Sequence, residues 1–508
     1  MVASADQLAT QAGMTAYALG GNAVDAALAT SAAITVCGPH LNGLGGDLLA
    51  LVHTGGEVHA LNATGRAGSG AEAEALRAGG CTEMPFRHDI RTVTVPGYVD
   101  GWLTLHERFA TLPRHVLLAP AIDLAGNGFP ASPLLVGSLA MIDDAARRNL
   151  GELAGQATRP GARVCRPGVA RTLRAVARDG RDAFYGGEFG GGLLTLGGGW
   201  FTADDLASSG ADWVTPISAP AWGVDLWTMP PNSQGYLAIS AAQLADGLDL
   251  PADPDDERWA HLLIEAATAV GYDRPAVLHD RADGQALVRS CAARGNLVDP
   301  ERASSRWSAG TDGDTTYLCA ATPEIGVSII QSNASGFGSW LVEPGTGINL
   351  HNRGLGFSLQ AGHPAELAPQ RRPPHTLLPA LATRGGNLEA VFGSMGGDAQ
   401  PQIVLQLAAR LFRSGQSPAE AVHAGRWALR GPVTGFDSWT VAGGPEVAIE
   451  GNAPADWMSA LADRGHRVRA APAYDSGFGH AHVIRLDERG FLVGAADPRT
   501  RVGGVAGR

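Results

Sequence analysis

The order of helical and strand patterns along this chain is the feature that most constrains its fold. Residues 5–36 carry apolar positions at i, i+3 and i+4 with a break at Gly20-Gly21, and the pattern stays mostly helical between about 75 and 300. From Thr315 onward, short β-rich runs dominate. Strands that follow helices, instead of alternating with them, favour α+β layers over repeated βαβ units. The sequence therefore predicts an α+β fold.

Individual elements can be placed from periodicity and from turn residues. Two early strands, 48–54 and 58–64, are predicted to form a hairpin through Gly55-Gly56. A polar, turn-rich stretch at 293–314 is predicted to be an exposed linker. Glycine clusters are interpreted as loops at 96–97, 186–192 and 229–235. After the linker we expect a helix at 401–415 and strands at 315–321, 326–333, 388–397, 466–474 and 481–497.

Composition excludes several classes of protein. With 508 residues, of which 45% are hydrophobic, the chain can bury a sizeable core. A net charge of -12 and a pI of about 5.7 argue against a nucleic-acid partner, which favours a basic patch. No stretch approaches 18 consecutive apolar residues, and the first residues lack the pattern of a signal peptide. The expectation is a cytoplasmic protein that does not bind membranes.

All 38 basic residues are arginine, and this limits the chemistry that is open to the chain. Without lysine there is no Schiff base, no pyridoxal-phosphate anchor and no P-loop lysine. The five cysteines are scattered with no Cys-x-x-Cys pair, which suits free thiols and gives neither a disulfide framework nor a zinc site. No cofactor is expected.

Three familiar motifs are weak or missing. The glycines at 67–76 only nominally resemble a dinucleotide turn, because no clear second strand follows, and a plain helix start is favoured. The histidines in "GHAH" at 479–482 alternate along a predicted strand without nearby carboxylates or thiols, so no metal site is expected. No Gly-x-Ser-x-Gly elbow occurs, which argues against an α/β-type serine hydrolase.

The step Asp314-Thr315-Thr316 places an acid and two hydroxyls at the entrance to an apolar strand. Taken alone, it is also typical of an Asx or Ser/Thr turn that leads into a strand. The remaining polar motifs are likewise mostly turn chemistry when taken singly: "QSNASGFGS", "HNRG", "RPPHTLLPA" and "GSMGGD".

Together, these motifs resemble the gamma-glutamyltransferase family of N-terminal nucleophile hydrolases, over nearly the whole chain. The combination "HNRG…RPPHT…GGD" is similar to the pattern of the family's cephalosporin-acylase-like and uncharacterised cytoplasmic branches. The ordered markers are "GGNAVDAALA" (20–29), "GPHLNGLGGD" (38–47), "LNATGRA" (61–67), "TVPGYVDGW" (94–102), "MPPNSQG" (229–235), "HLLIEA" (261–266), "GDTTYL" (313–318), "SIIQSNASGFGS" (328–339), "PGTGINLHNRG" (344–354), "RPPHTLLPAL" (372–381), "GSMGGDAQPQ" (393–402) and "GAADPR" (494–499).

The resemblance implies a self-processing chain. Such enzymes are made as one inactive polypeptide that cuts itself before a threonine, here at the Asp314–Thr315 bond. The products would be a large segment, 1–314, and a small segment, 315–508, which remain entwined in one domain as a heterodimer and leave a higher oligomer open. The implied architecture is a four-layer αββα sandwich.

The resemblance also implies the catalytic groups. Thr315 would be the nucleophile, and its freed α-amino group, with a reference pKa of about 7.7–8.0, would accept the hydroxyl proton. Thr316 would assist, and Asn333 would be a polar partner near the nucleophile. Gly396 and Gly397 would supply backbone N–H groups to the oxyanion.

The substrate-binding positions match the family only in part. Arg66 matches the position that holds the substrate α-carboxylate. His375 and Thr376 occupy the place of two serines that help to bind this carboxylate in glutathione-cleaving members. In those members, a glutamine and an aspartate bind the substrate α-amine. This chain has Arg353 in place of the glutamine and Leu355-Gly356 near the place of the aspartate. A cation at Arg353 would repel an ammonium and favour an acyl group that ends in a carboxylate.

Three functions follow as hypotheses. The first is an amidohydrolase or acyltransferase that acts on a small-molecule amide with a gamma-glutamyl-like or dicarboxylic acyl group, by way of an acyl-enzyme. The second is a homologue recruited to C–C bond hydrolysis in a secondary-metabolite pathway, such as antibiotic biosynthesis. The third is a non-catalytic relative used as a binding protein. Retention of Thr315, Arg66 and Gly396-Gly397 argues against the third.

Overall fold

A computed structural model describes residues 1–304, 315–430 and 446–508. Asp314, predicted to precede the cleaved bond, lies outside the described residues, as does the end of the linker at 305–314. The described part is a mixed α and β fold with two large antiparallel sheets. Residues 293–304 are mainly exposed or half-buried, as expected of a linker.

The α-helices of the described ranges are, in chain order, α1 (Gln7–Ala18), α2 (Ala23–Cys37), α3 (Ala73–Ala78), α4 (Tyr98–Phe109), α5 (Arg114–Asn127), α6 (Pro133–Ala140), α7 (Asp144–Asn149), α8 (Gly151–Gln156), α9 (Pro167–Asp179), α10 (Asp182–Tyr185), α11 (Glu188–Gly197), α12 (Ala203–Ala207), α13 (Gly235–Asp246), α14 (Glu257–Gly271), α15 (Arg274–Val277), α16 (Gly284–Ala292), α17 (Gln400–Ala408), α18 (Pro418–His423) and α19 (Trp457–Asp463). A π-helical turn, Ala409–Arg413, extends α17.

The strands are β1 (Val2–Ser4), β2 (Asp47–Thr54), β3 (Glu57–Ala63), β4 (Phe129–Pro130), β5 (Arg163–Val164), β6 (Asp212–Val214), β7 (Ile217–Ala221), β8 (Val224–Thr228), β9 (Thr316–Ala321), β10 (Gly326–Ser332), β11 (Val342–Glu343), β12 (Ile348–Asn349), β13 (Ala380–Arg384), β14 (Asn387–Ser394), β15 (Trp427–Arg430), β16 (Glu446–Glu450), β17 (Val468–Ala471), β18 (Ala481–Leu486), β19 (Leu492–Ala496) and β20 (Gly504–Ala506).

The predicted break between the first two helices is confirmed, and local capping explains it. After the turn at Gly20-Gly21, the side chain of Asn22 accepts hydrogen bonds from the N–H groups of Val24 and Asp25. Asp25 in turn accepts a hydrogen bond from the N–H of Asn22. This reciprocal capping box satisfies N–H groups that the first turn of α2 would otherwise leave unpaired.

Two sheets carry most of the strands. The larger has seven, in the order β20-β1-β9-β10-β2-β3-β6, and the smaller has six, in the order β19-β18-β14-β13-β8-β7. The larger sheet sets β9 and β2 on either side of β10, with Thr316 opposite Gln331 and Asp47 opposite Ser332. This register gathers residues from distant parts of the sequence at one end of the sheet.

Side-chain alternation buries both faces of the central strands. On β9, Tyr317 and Cys319 join a core cluster that also contains Leu381 and Val391 of the smaller sheet. Leu318, between them, joins the cluster formed with the helices of the first third of the chain. The smaller sheet shares a third cluster with α13, α14 and α17. Successive residues of a strand point to opposite faces, so a continuous apolar run serves two cores at once.

Two predictions about the region 75–300 are wrong. The glycine cluster at 186–192, expected as a loop, lies largely in α11. Glycine is needed inside this helix because a Cβ on Gly190 would clash with the backbone oxygen of Tyr185, and one on Gly192 with the side chain of Glu343. There glycine allows close packing. The helical interpretation also missed the strands between 212 and 228. Pro220 obscured that pattern, but β7 is an edge strand, where proline is tolerated.

Other predicted elements are confirmed. The early hairpin forms from β2 and β3, and the strands expected after the linker correspond to β9, β10, β14, β17, β18 and β19. All five cysteines are free thiols. Within the described ranges, no helix combines the length and apolarity needed to cross a membrane.

Candidate active site

Thr315 lies at the entrance to β9 in a fully buried position. Its hydroxyl donates a hydrogen bond of 3.0 Å to the Oγ of Ser332, the last residue of β10. The antiparallel pairing of β9 with β10 brings these two residues together across 17 positions of sequence. The hydroxyl is therefore held in a fixed direction by a polar partner.

Arg353 connects this pair to a second segment of the chain. One guanidinium nitrogen donates to the Oγ of Ser332 at 3.3 Å and another to the Oγ1 of Thr376 at 2.9 Å. The residue is only 2% exposed, and burial lowers its pKa to about 10. A group with this pKa is still protonated at neutral pH. A positive charge thus stands one hydroxyl away from Thr315, where it can stabilise developing negative charge.

Asp47 is a buried carboxylate at the start of β2. It accepts hydrogen bonds from the N–H of Gly65 at 2.9 Å and from His375 Nε2 at 3.1 Å, and His351 Nδ1 lies 3.7 Å away. Burial disfavours ionisation of Asp47, but His351, the hydrogen bond from His375 and the charge of Arg353 more than offset it. Together they hold the pKa of the carboxyl well below its usual range. The carboxylate therefore balances the cation of Arg353.

The tautomer of His375 follows from its partners. Nδ1 accepts a hydrogen bond from the N–H of Leu377 at 3.2 Å, so Nε2 carries the proton and donates to Asp47. Burial and the neighbouring Arg353 lower the pKa of His375 to about 3. The imidazole is neutral at physiological pH, and its two hydrogen bonds hold Asp47 next to the backbone of residues 375–377, which carries Thr376.

The turn Gly396-Gly397 joins β14 to α17 close to the same segment. Nε2 of Gln234 donates to the carbonyl oxygens of both Thr376, at 3.0 Å, and Gly397, at 2.9 Å. Gly396 has φ 138°, a conformation that favours glycine, and a Cβ there would lie 2.9 Å from Ile403 Cδ1. Gln234 thus fixes the glycine turn against the Thr376 segment.

A cavity of about 540 Å³ opens beside these groups. Its lining includes Thr376, Leu355-Gly356 and Arg274. Arg274 pairs with the buried Asp398, the residue after the glycine turn, at 3.3 Å. The cavity is large enough for a small-molecule substrate and is bounded by the residue that receives the hydrogen bond of Arg353.

The other expected site residues lie elsewhere around this centre. The side chain of Asn333 donates to the carbonyl of Pro39 at 3.3 Å, in the loop before β2. Thr316 is buried, and its hydroxyl has no hydrogen-bond partner in the described part of the chain. Arg66 has a side chain 37% exposed and pairs with Asp212 at 2.7 Å, so its guanidinium is not part of the hydrogen-bonded chain from Thr315 to Thr376.

Sequence reasoning did not assign roles to three organising residues. Asp47, Gln234 and Ser332 lie in the family motifs "GPHLNGLGGD", "MPPNSQG" and "SIIQSNASGFGS", respectively. The markers therefore contained the signal. Their roles depend on the pairing of β2 and β9 with β10 and on the contacts of Gln234 with Thr376 and Gly397. These contacts join residues far apart in sequence, so the sequence did not reveal them.

Comparison with known proteins shows which family the chain belongs to. The family described as Gamma-glutamyltranspeptidase matches residues 9–507. The chain is 34% identical to the "Oxamate amidohydrolase proenzyme" of Klebsiella pneumoniae, covering 100% of this chain and 98% of that protein. It is 33% identical to the "Glutathione hydrolase-like YwrD proenzyme" of Bacillus subtilis, with 98% and 97% covered. The structure of a cephalosporin acylase from Bacillus halodurans superposes with a TM-score of 0.89 at 34% identity, with 99% and 95% covered.

The fold and the comparisons define a class of mixed α and β enzymes whose relatives are hydrolases and acylases. The chain belongs to the gamma-glutamyltranspeptidase family. The resemblance inferred from its motifs is confirmed.

Proposed function

We propose that this protein is a self-processing N-terminal threonine amidohydrolase or acyltransferase. The chain cuts itself at Asp314–Thr315 when the Thr315 hydroxyl attacks the preceding carbonyl, and water then resolves the ester and frees a new N-terminus. The same hydroxyl next attacks the amide substrate, the leaving amine departs, and the acyl group passes from Thr315 to water or to an acceptor amine.

The observation that carries this proposal is the buried hydrogen bond from Thr315 to Ser332, backed by the cation of Arg353. A threonine hydroxyl is a weak nucleophile, so it needs a base and a stabilised oxyanion. The freed α-amino group would act as the base, and the N–H groups of Gly396-Gly397 would receive the oxyanion. Two relatives carry "proenzyme" in their names, which is consistent with processing.

The arrangement of layers is part of the same proposal. The sheets share one core, and each shares a further core with helices, as expected of a four-layer αββα sandwich. Segments 1–314 and 315–508 contribute neighbouring strands to both sheets, so after the cut they would remain entwined as a heterodimer.

The acyl group that we propose ends in a carboxylate. Arg353 donates to Thr376, which lines the cavity, and Asp47, which balances part of the charge of Arg353, is held by Gly65 and His375. An anionic group in the cavity would be attracted by the buried guanidinium beyond Thr376, whereas an α-ammonium would be repelled. Glutaryl and similar dicarboxylic amides are therefore the substrates of choice.

Replacing Arg353 by glutamine is expected to reduce selectivity for the carboxylate. The measurement is kcat/KM for a glutaryl and a pentanoyl amide of the same chromogenic amine, because their ratio cancels damage common to both substrates. We expect the glutaryl preference to fall by about 1–3 kcal/mol, or roughly 5- to 150-fold, the size of a charge-assisted hydrogen bond.

Arg353→Lys is the matched control, since it keeps the charge but not the two-pronged contact, and it should retain part of the preference. An unchanged ratio in Arg353→Gln would refute the role of Arg353. Failure of both amides in the wild type would instead contradict the proposed activity itself.

A further inference from the structure

A cluster of three metal-ligating side chains lies outside the candidate active site. His261 and Glu265 stand one turn apart on α14, and His466 follows α19. Each offers one ligand atom, and these atoms all lie within 4.8 Å of one another. All three residues are buried, with exposures of 0%, 1% and 7%. Nothing in the proposed amide chemistry uses them.

The ring of His261 is oriented as a metal ligand would be. Its Nε2 lies 2.9 Å from the carbonyl oxygen of Asp299 and donates to it, which leaves Nδ1 as an acceptor directed at the cluster. This second contact to a backbone carbonyl is the usual way in which proteins fix the tautomer of a ligating histidine. His466 Nε2 approaches the same Nδ1 to 2.8 Å.

Glu265 is a buried carboxylate that lies outside every ion pair of the described residues. Among the described residues, no arginine or histidine forms an ion pair with it, and its oxygens accept the N–H of Ser304 at 3.1 and 3.2 Å. A divalent cation would supply the missing positive charge, and the Ser304 N–H would then hold the carboxylate in place.

We propose that His261 Nδ1, His466 Nε2 and a carboxylate oxygen of Glu265 bind one Zn²⁺ ion, with water as the fourth ligand. Two imidazoles and one carboxylate form a donor set that suits zinc and is poor for Mg²⁺, which prefers oxygen ligands. Two nitrogens bound tetrahedrally at about 2.0–2.1 Å from zinc lie roughly 3.3 Å apart. The histidine rings therefore need to separate by only about half an ångström from their present hydrogen-bonded positions.

The position of the cluster suggests what the ion would do. His261 and Glu265 belong to the segment before Thr315 and His466 to the segment after it, 205 positions from His261. Glu265 also contacts Ser304, at the end of the described part of the first segment. Bound zinc would cross-link the two segments and anchor the stretch that leads to the predicted cut. Its role would be structural and independent of the proposed catalysis.

The test is the zinc content of the full chain. Wild type is stripped with a chelator, incubated with Zn²⁺ alone, dialysed and analysed by elemental mass spectrometry. We expect about one Zn²⁺ per chain and a higher thermal midpoint in the zinc-loaded protein. His466→Gln and Glu265→Gln should each lose the ion, whereas His423→Gln, a change at an exposed histidine on α18, should keep it.

Circular dichroism of the stripped proteins identifies any variant that fails to fold. The zinc contents of the folded variants and of the wild type then test the proposal. Loss of zinc from the folded site variants, with retention in His423→Gln, supports the proposal. Wild type that retains no zinc, or a folded site variant that retains as much as wild type, overturns it. In either of those cases the cluster is a hydrogen-bonded histidine pair beside a buried glutamate.

Discussion

Thr315→Ala is expected to yield one uncut chain of 508 residues with no turnover. Wild type should instead give two fragments, of 314 and 194 residues. The reason is that one hydroxyl serves twice: it attacks the Asp314 carbonyl during maturation and the substrate carbonyl during catalysis. Without it, kcat should fall by about 10⁴-fold or more, the scale seen when a nucleophile is removed. Intact mass spectrometry and a kinetic assay on the same sample measure both effects.

Two variants serve as controls for this experiment. Thr315→Ser keeps a hydroxyl at the same position and should still cut itself. Thr195→Ala removes an exposed threonine hydroxyl on α11 that bonds only to the Gly191 carbonyl, and it should behave as wild type. A Thr315→Ala protein that is cut and active would rule out the mechanism. An uncut but active wild type would show that the fold works without self-processing.

Asp47→Asn is expected to destabilise the protein by about 3–5 kcal/mol, the usual cost of breaking a buried charge pair. The amide cannot balance the charge of Arg353, and its NH2 group would face the Nε2–H of His375 or leave the Gly65 N–H without an acceptor. Unfolding entropy grows with chain length, so for 508 residues this corresponds to a fall in the thermal midpoint of about 3–5 °C. Scanning calorimetry measures it directly.

The pH dependence of this loss gives a second check. The folded pKa of Asp47 is depressed, so its contribution is fully present above the ordinary carboxyl pKa of about 3.9 and is lost as pH falls through the lower folded value. The difference between wild type and Asp47→Asn should therefore stay constant from pH 8 to about pH 5. Asp225→Asn, at an exposed position of β8, is the matched control and should change the midpoint little. An equally small change in Asp47→Asn would contradict the central role of this carboxylate.

The sequence predicted an element correctly where the conformation of that element depends only on neighbouring residues. The break at Gly20-Gly21 and the hairpin at Gly55-Gly56 depend on glycine conformations and capping within a few residues, so the sequence was sufficient. The helix through Gly190-Gly192 was missed because glycine is needed there for contact with Tyr185 and Glu343, which no local pattern reveals. The edge strand β7 was missed because Pro220 is acceptable only at an edge.

The residues of the candidate site could be nominated from the sequence, but their contacts could not. The sequence alone determined the family, through ordered motifs, and nominated Thr315, Arg353, His375 and Thr376, because unusual residue types stand inside those motifs. Only the tertiary structure decided that these residues share one hydrogen-bonded network, that Asp47 and Gln234 organise it, and that Arg66 pairs with Asp212 instead. The physical reason is that residue type is fixed locally, whereas charge balance and direction depend on strand register and on burial, which bring together groups hundreds of positions apart.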